Sequence, residues 1–257
     1  MVLDAKFLGR HLKRIYYVYR HLKRSYYVYR GTRLLRSPFT HSLILSYNIK
    51  SSLLHDLFFK YGSDKGAPNN QTHPISLISP HTYADLYYIL FNFSRNSIKR
   101  VFECGLGTNN LDFKSNMGET GIPGASLRAW RDYFPNAQIF GADIDSQILF
   151  SEERIKTFHV DQTVQESVEK MWQKISIEEF DIIIDDGLHT FDAGISLFEA
   201  SFSKLRGGGI YVIEDINPED KFRFYSYFKE RPYRTHIVDL YRPNKLLSDN
   251  SVFIIWK

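Results

Sequence analysis

Two short stretches concentrate side chains able to do chemistry. Residues 185–189 read Asp-Asp-Gly-Leu-His and residues 214–215 read Glu-Asp, each just after an apolar run. Consecutive strands joined by a right-handed crossover lie side by side, ~4.8 Å apart. Asp186, Glu214 and Asp215 are therefore placed to converge. Three converging carboxylates repel one another unless a cation binds them. Oxygen ligands select a hard ion, Mg²⁺, with Mn²⁺ or Ca²⁺ as alternatives. Such an ion keeps positions open for a substrate oxygen. His189, three residues beyond Asp186, is the candidate base for a hydroxyl proton. Taken singly, His189 reads better as a helix-start histidine bonded to backbone than as a base, and Glu214 and Asp215 read as loop caps. Their joint placement with Asp186 favours a site.

A second group lies earlier in the chain. Glu103-Cys104-Gly105-Leu106-Gly107 follows an apolar run, and two glycines there let backbone approach a ligand closely. A dinucleotide fingerprint needs a third glycine at position 110, which is Asn. An acid before the first glycine suits a cationic ligand with a free amino group rather than a pyrophosphate. Asp143 ends the next run and suits ribose hydroxyls; Asp161 and Gln162 follow another and suit an adenine amino group. The order points to S-adenosylmethionine. Turn glycines and cap acids are the plainer explanation of each motif by itself.

These motifs need strands to hold them. Residues 100–104, 138–142, 156–160, 180–185 and 209–213 read as strands. Amphipathic patterns at 126–134, 165–175 and 191–205 read as helices, with Ser126 as an N-cap and Gly207–Gly209 closing the last. Strand–helix alternation predicts an α/β fold with a parallel sheet. Residues 235–241 and 251–257 predict an antiparallel hairpin on its edge. Ligands bind beyond the carboxyl ends of such strands, where the motifs lie.

The 257 residues accommodate one large domain with an appendage, and 43% hydrophobic residues exclude global disorder. A single cysteine excludes a disulfide framework and predicts a reducing, cytoplasmic setting. No secretory leader or membrane-spanning run is read. Charge is unevenly placed: residues 1–40 carry ten Lys or Arg against Asp4, so an arm of +9 precedes a body of −5. The arm contains HLKRIYYVYR at 11–20 and HLKRSYYVYR at 21–30. It is expected to pack on the body or on another subunit of a homo-oligomer. Contact with an anionic membrane surface at the inner face is an alternative, and nucleic-acid binding is a third. No Asn-Pro-Pro-aromatic or Asp-Pro-Pro-aromatic motif is present, so no nucleic-acid partner is expected. A non-enzymatic module that binds through the arm is the remaining rival.

The stretches YGSDKG (61–66), HTYADLY (81–87), FECGLGT (102–108), GASLRAW (124–130), GADID (141–145), VDQ (160–162), DIIIDDGLH (181–189) and GGGIYVIEDI (207–216) resemble the metal-dependent sugar O-methyltransferases of the macrocin and mycinamicin type. The resemblance implies a Rossmann-like class I methyltransferase fold with a seven-stranded, mostly parallel sheet and an antiparallel C-terminal hairpin. It implies an arm at 1–40, a helical cap region at 41–98 and a methyltransferase domain at 99–257. Asp186, Glu214 and Asp215 would be metal ligands, with Asp186 and His189 catalytic. Glu103, Gly105, Gly107, Ser126, Asp143, Asp161, Gln162 and Asp185 would surround S-adenosylmethionine. Lys65 and Tyr83 are expected near substrate. The short form with a basic arm looks like enzymes that methylate capsular or surface sugars, which implies a nucleotide-sugar acceptor, GDP-heptose foremost. Its diphosphate would meet basic residues, for which Arg242 and Lys245 are the candidates.

Overall fold

In the computed structural model, the described residues are 42–45, 51–68, 81–240 and 249–257. They fall in one compact unit, 42–241 with 247–257; a second unit, 1–41 with 242–246, lies outside them. The expectations for the arm and its repeat, and for Arg242 and Lys245, lie outside the described residues.

The strands are β1 (Ser42–Leu45), β2 (Arg100–Cys104), β3 (Gln138–Asp143), β4 (Ser151–Glu152), β5 (Ile155–His159), β6 (Phe180–Asp185), β7 (Leu205–Ile213), β8 (Arg234–Leu240) and β9 (Ser251–Trp256). They form one sheet in the order β1-β8-β9-β7-β6-β2-β3-β5-β4. Neighbours among β7, β6, β2, β3 and β5 run parallel, while β9 runs antiparallel to both β7 and β8. The helices are α1 (Leu53–Tyr61), α2 (Tyr83–Phe91), α3 (Ala125–Tyr133), α4 (Gln165–Ile175), α5 (Phe191–Ser201) and α6 (Lys221–Phe228).

Strand parity sorts the core into two layers. Val101, Ile182, Ile184 and Val212 pack with α1, α2 and α3. Phe102, Ile183, Tyr211 and Ile213 pack with α4, α5 and α6. Helix α4 shows why burial rather than propensity decides. Val168, Met171, Trp172 and Ile175 are its buried residues, at helical spacing. Each large apolar side chain contributes about 1.5–3 kcal/mol on burial, against at most about 0.7 kcal/mol for differences in helix propensity.

The order of strands reverses between β2 and β6, which makes the crevice at their carboxyl ends the expected ligand position. Four expectations need correction. The sheet has nine strands among the described residues rather than seven, because β1 and β4 extend it. The C-terminal strands form the expected antiparallel pair at the edge of the parallel strands, β9 against β7 and β8 beyond it, but β1, from the region read as helical, pairs outside β8. Gly207–Gly209 lie within β7 rather than capping a helix, since α5 stops at Ser201 and a 3-10 turn follows. Ser126 is not an N-cap; Gly124, with φ 71°, begins α3.

Candidate active site

Each motif leaves the sheet at a strand's carboxyl end. The ladder continues one residue into each turn: Asp186 N–H donates to Cys104 O at 2.8 Å, and Glu214 N–H to Asp185 O at 2.9 Å. The turns after β2, β6 and β7 are thereby pulled to the same edge. Gly105 has φ 95°, and a Cβ there would lie 2.0 Å from the Asp186 carbonyl oxygen. Only glycine lets these two turns approach so closely.

The turns border an open cavity of about 390 Å³. One end is lined by Gly105, Leu106, Gly107, Asp143, Ile144, Val160 and Asp161, and the other by Lys65, His81, Asp186, His189, Asp215 and Asp249. Residues 112–117 of the loop before α3 also line it. Asp143 accepts from Leu106 N–H at 2.7 Å and Asp145 N–H at 2.9 Å, which fixes the glycine turn against β3. Asp161 accepts from Thr163 N–H at 3.0 Å. Gln162 also lines the cavity, but its amide is committed, accepting from Leu188 N–H and donating to Asp185 at 3.1 Å.

At the acidic end, Lys65 donates to Asp186 at 2.6 Å and to Glu214, and lies 3.6 Å from Glu103. Tyr87 donates to the other oxygen of Glu214. Burial pushes the Lys65 ammonium toward neutrality, but Asp186, Glu103 and Glu214 outweigh it and hold its pKa well above the usual lysine value. His189 Nε2 sits 3.2 Å from Asp186 Oδ1 and 3.4 Å from Asp215 Oδ2. Burial opposes its charge, yet the Asp186 hydrogen bond and the Asp215 and Asp186 charges raise its pKa to about 10. Burial raises Asp215 to about 6 against the pull of His81 and His189. Both His189 (φ 57°) and Asp215 (φ 52°) adopt the left-handed conformation, which is sparsely populated outside glycine and recurs at functional sites.

Several expected residues take other positions. Glu103 is fully buried and does not border the cavity; it accepts from Ser126 at 2.5 Å and from the Trp130 indole. It shares the sheet face of Val101, so parity turns it toward α3 rather than toward a cofactor. Ser126 lines the cavity but spends its hydroxyl on Glu103. Asp185 is likewise behind the wall, held by Gln162 and by Gly187 N–H. Tyr83 is buried and donates to Asp215 Oδ1 at 2.5 Å, which makes it a support for that carboxylate rather than a substrate contact. Glu214, expected as a third metal ligand, accepts from Lys65, which Asp186 also does, and from Tyr87. Among the described residues two groups bring ligand atoms within 4.8 Å of one another, Asp186 with His189 and Asp215, and His81 with Asp215 and Asp249.

Sequence reasoning missed Lys65 as the internal counterion, and it missed Tyr87, Ser115 and His81. Ser115 Oγ is 3.5 Å from His189 Nδ1. His81 Nε2 is 3.4 Å from Asp215. Such contacts leave no local spacing, since they join α2 and loops to strands more than 70 residues away. No helix among the described residues is long and apolar enough to cross a membrane.

No family model matches the chain. Curated relatives match part of it. Mycinamicin VI 2''-O-methyltransferase of Micromonospora griseorubida is 38% identical over 136 residues, 53% of this chain and 32% of the relative. Demethylmacrocin O-methyltransferase of Streptomyces fradiae is 35% identical over 138 residues, 54% and 32% of the two chains. The chain thus spans about a third of the length of these relatives. Among solved structures, the MycE methyltransferase of the mycinamycin pathway, in complex with Mg, SAH and mycinamycin VI, superimposes with TM-score 0.57 at 25% identity. That match covers 80% of this chain and 55% of MycE. The fold is the class I, Rossmann-like methyltransferase fold, and over about half of its length the chain is distantly homologous to the macrocin- and mycinamicin-type sugar O-methyltransferases.

Proposed function

We propose that the protein is an S-adenosylmethionine-dependent, divalent-cation-dependent O-methyltransferase that acts on a sugar hydroxyl. The observation that carries this reading is a single cavity with a glycine turn and Asp143 at one end and the Asp186–His189–Asp215 group at the other. The partial likeness to methyltransferases named for sugar positions supports it.

The residues fit both groups. At one end, backbone at Gly105 and Gly107 gives close approach, Asp143 retains lone pairs for ribose hydroxyls, and Ile144, 43% exposed, offers an apolar surface to a base. At the other, two carboxylates and an imidazole present donors of the kind divalent ions take. Asp186 and Asp215 would hold the cation, while Glu214 keeps Lys65 neutralised behind them. When bound, the cofactor supplies a sulfonium methyl and the cation fixes and acidifies a sugar hydroxyl.

The chain's own groups then have distinct tasks. The glycine turn and Asp143 orient the donor. Asp186 and Asp215 fix the acceptor end. His189, whose ring nitrogen faces both carboxylates, would as a neutral imidazole be the group that accepts the hydroxyl proton. Ser115 at Nδ1 sets the ring's orientation. Positioning supplies most of the rate.

A nucleotide-activated heptose for surface polysaccharide is the finer acceptor proposed. Its support is the basic pair Arg242 and Lys245, which follows β8 in sequence, and the exposed Lys114 on the cavity lining. The charged groups of the described lining are otherwise mostly acidic, with Asp64, Asp112, Asp143, Asp161, Asp186, Asp215 and Asp249 beside Lys65, His81 and His189. A glycosylated small molecule, which needs no diphosphate site, is the second reading this acidity favours. Methyl transfer to a panel containing both kinds of acceptor, with EDTA and with Mg²⁺, tests the proposal. Transfer to neither, with cofactor bound, contradicts it.

A further inference from the structure

Asp215 is gripped on one side only. The Tyr83 hydroxyl donates to Oδ1 at 2.5 Å and accepts from Asp215 N–H at 3.2 Å. One hydroxyl thus fixes both the main chain and the carboxylate of a residue in the left-handed conformation. His81 Nε2 approaches the same Oδ1 at 3.4 Å, and its ring stacks on Tyr83 with centroids 4.7 Å apart and planes 18° apart. Asp249 stands beyond, with Oδ1 3.5 Å from His81 Nε2. The other oxygen, Oδ2, faces His189 at 3.4 Å. The order across the cavity wall is Asp186, His189, Asp215, His81, Asp249.

We propose that His81 is a positioning residue for Asp215: Tyr83 holds Oδ1 by a hydrogen bond, and the His81 ring, stacked on Tyr83 with Nε2 3.4 Å from Oδ1, keeps that oxygen turned to the protein so that Oδ2 is presented toward Asp186 and a cation. This rests on the reading above that Asp186 and Asp215 hold a divalent ion. A carboxylate free to rotate exchanges its two oxygens and offers a ligand without fixed direction. Carboxylates that bind metals are themselves held by hydrogen bonds, and loss of such an outer partner costs about 10–100-fold in metal affinity. His81 is built for the task rather than for the core: it borders the cavity, and its ring is held between the Tyr83 face and two carboxylates.

The experiment is Mn²⁺ binding to the full chain, read by the electron paramagnetic resonance of free Mn²⁺, with calorimetric S-adenosylhomocysteine binding as a parallel readout. Wild type is expected to bind one Mn²⁺ per chain. His81→Ala is expected to weaken Mn²⁺ about 10–100-fold while cofactor-product affinity stays within about twofold. His81→Gln, which keeps a donor of similar reach, is expected to recover most of the loss. Asp249→Asn alters a carboxylate 38% exposed and so leaves folding intact; it is expected to weaken Mn²⁺ by a smaller factor. That variant decides the matter if His81→Ala does not fold. Unchanged Mn²⁺ affinity in His81→Ala or, in that case, Asp249→Asn overturns the proposal. Two Mn²⁺ per wild-type chain, falling to one in His81→Ala, also overturns it, because His81 would then be a ligand of a second ion. No Mn²⁺ bound by wild type removes the cation reading itself, and the positioning role with it.

Discussion

Lys65 and Asp186 meet at 2.6 Å, and the lysine is 98% shielded from solvent although its ammonium borders a cavity. The same ammonium reaches Glu214 and lies 3.6 Å from Glu103, so one positive charge serves three carboxylates from three strand ends. It joins β2, which leads into the glycine turn, to the acidic end formed by β6 and β7. Its removal leaves buried negative charge uncompensated, which costs more than the lost contact itself.

Lys65→Met is therefore expected to destabilise the protein by about 3–5 kcal/mol, a fall in melting temperature of roughly 6–20 °C for a domain of this size. Glu214→Gln is expected to behave similarly, through stability. Asp186→Asn, at a side chain 21% exposed, is expected to leave the melting temperature much closer to wild type while lowering Mg²⁺-dependent turnover at least about 10-fold. Thermal unfolding beside turnover checks the contrast. Equal destabilisation by all three would make Asp186 structural.

Gly105→Ala places a Cβ 2.0 Å from the Asp186 carbonyl at φ 95°. The left-handed conformation alone costs about 1–2 kcal/mol, and the backbone must also move. S-adenosylhomocysteine affinity is expected to fall at least about 10-fold, as about 1.4 kcal/mol does. Gly207→Ala, with open space around its Cβ, is expected to stay within about 0.5 kcal/mol of wild-type stability and to bind normally. Equal affinity in the two variants would detach the glycine turn from cofactor binding.

The histidine pairs predict a pH dependence. His189 and His81 are raised to about 10 and about 9, the carboxylates of Asp186 and Asp215 outweighing burial for the first and Asp249 and Asp215 for the second. A raised folded value means that their stabilisation is complete below about 6.5 and is lost as pH rises through 9 to 10. In EDTA, urea unfolding should show stability falling between pH 7 and pH 10, with a shallower fall in His189→Gln. A flat wild-type profile would contradict the ion pairs.

Metal binding should expel the His189 proton, since both compete for Asp186 and Asp215. Calorimetry of Mg²⁺ binding at pH 7.5 in buffers of different ionisation enthalpy is expected to show release of about one proton, absent in His189→Gln. Binding without proton release would leave His189 charged and unfit as a base.

Much of this was legible in the chain. Strand ends at 104, 143, 185 and 213 were readable because apolar runs stop at Gly, Asp or Glu, and the acidic cluster followed from adjacency of β6 and β7. The edge strand β1 was not, because four residues, Ser42–Leu45, carry no alternation long enough to detect. The burial of Glu103 was legible as well: in β2 it alternates with Phe102 and Cys104 and so shares the Val101 face, under α3. The roles of Lys65, Tyr87 and His81 were hidden for a different reason. Each meets its carboxylate across more than 120 residues, and only the closed fold brings them together.

The reaction proposed is transfer of a methyl group to a sugar oxygen at the Asp186–His189–Asp215 end of the cavity. The most direct measurement is mass spectrometry of nucleotide sugars and glycosylated small molecules incubated with S-adenosylmethionine, with Mg²⁺ and with EDTA. One added methyl on a sugar hydroxyl is expected, lost in EDTA, restored by Mg²⁺ and absent in Asp186→Asn. Transfer that persists in EDTA and in Asp186→Asn would contradict it.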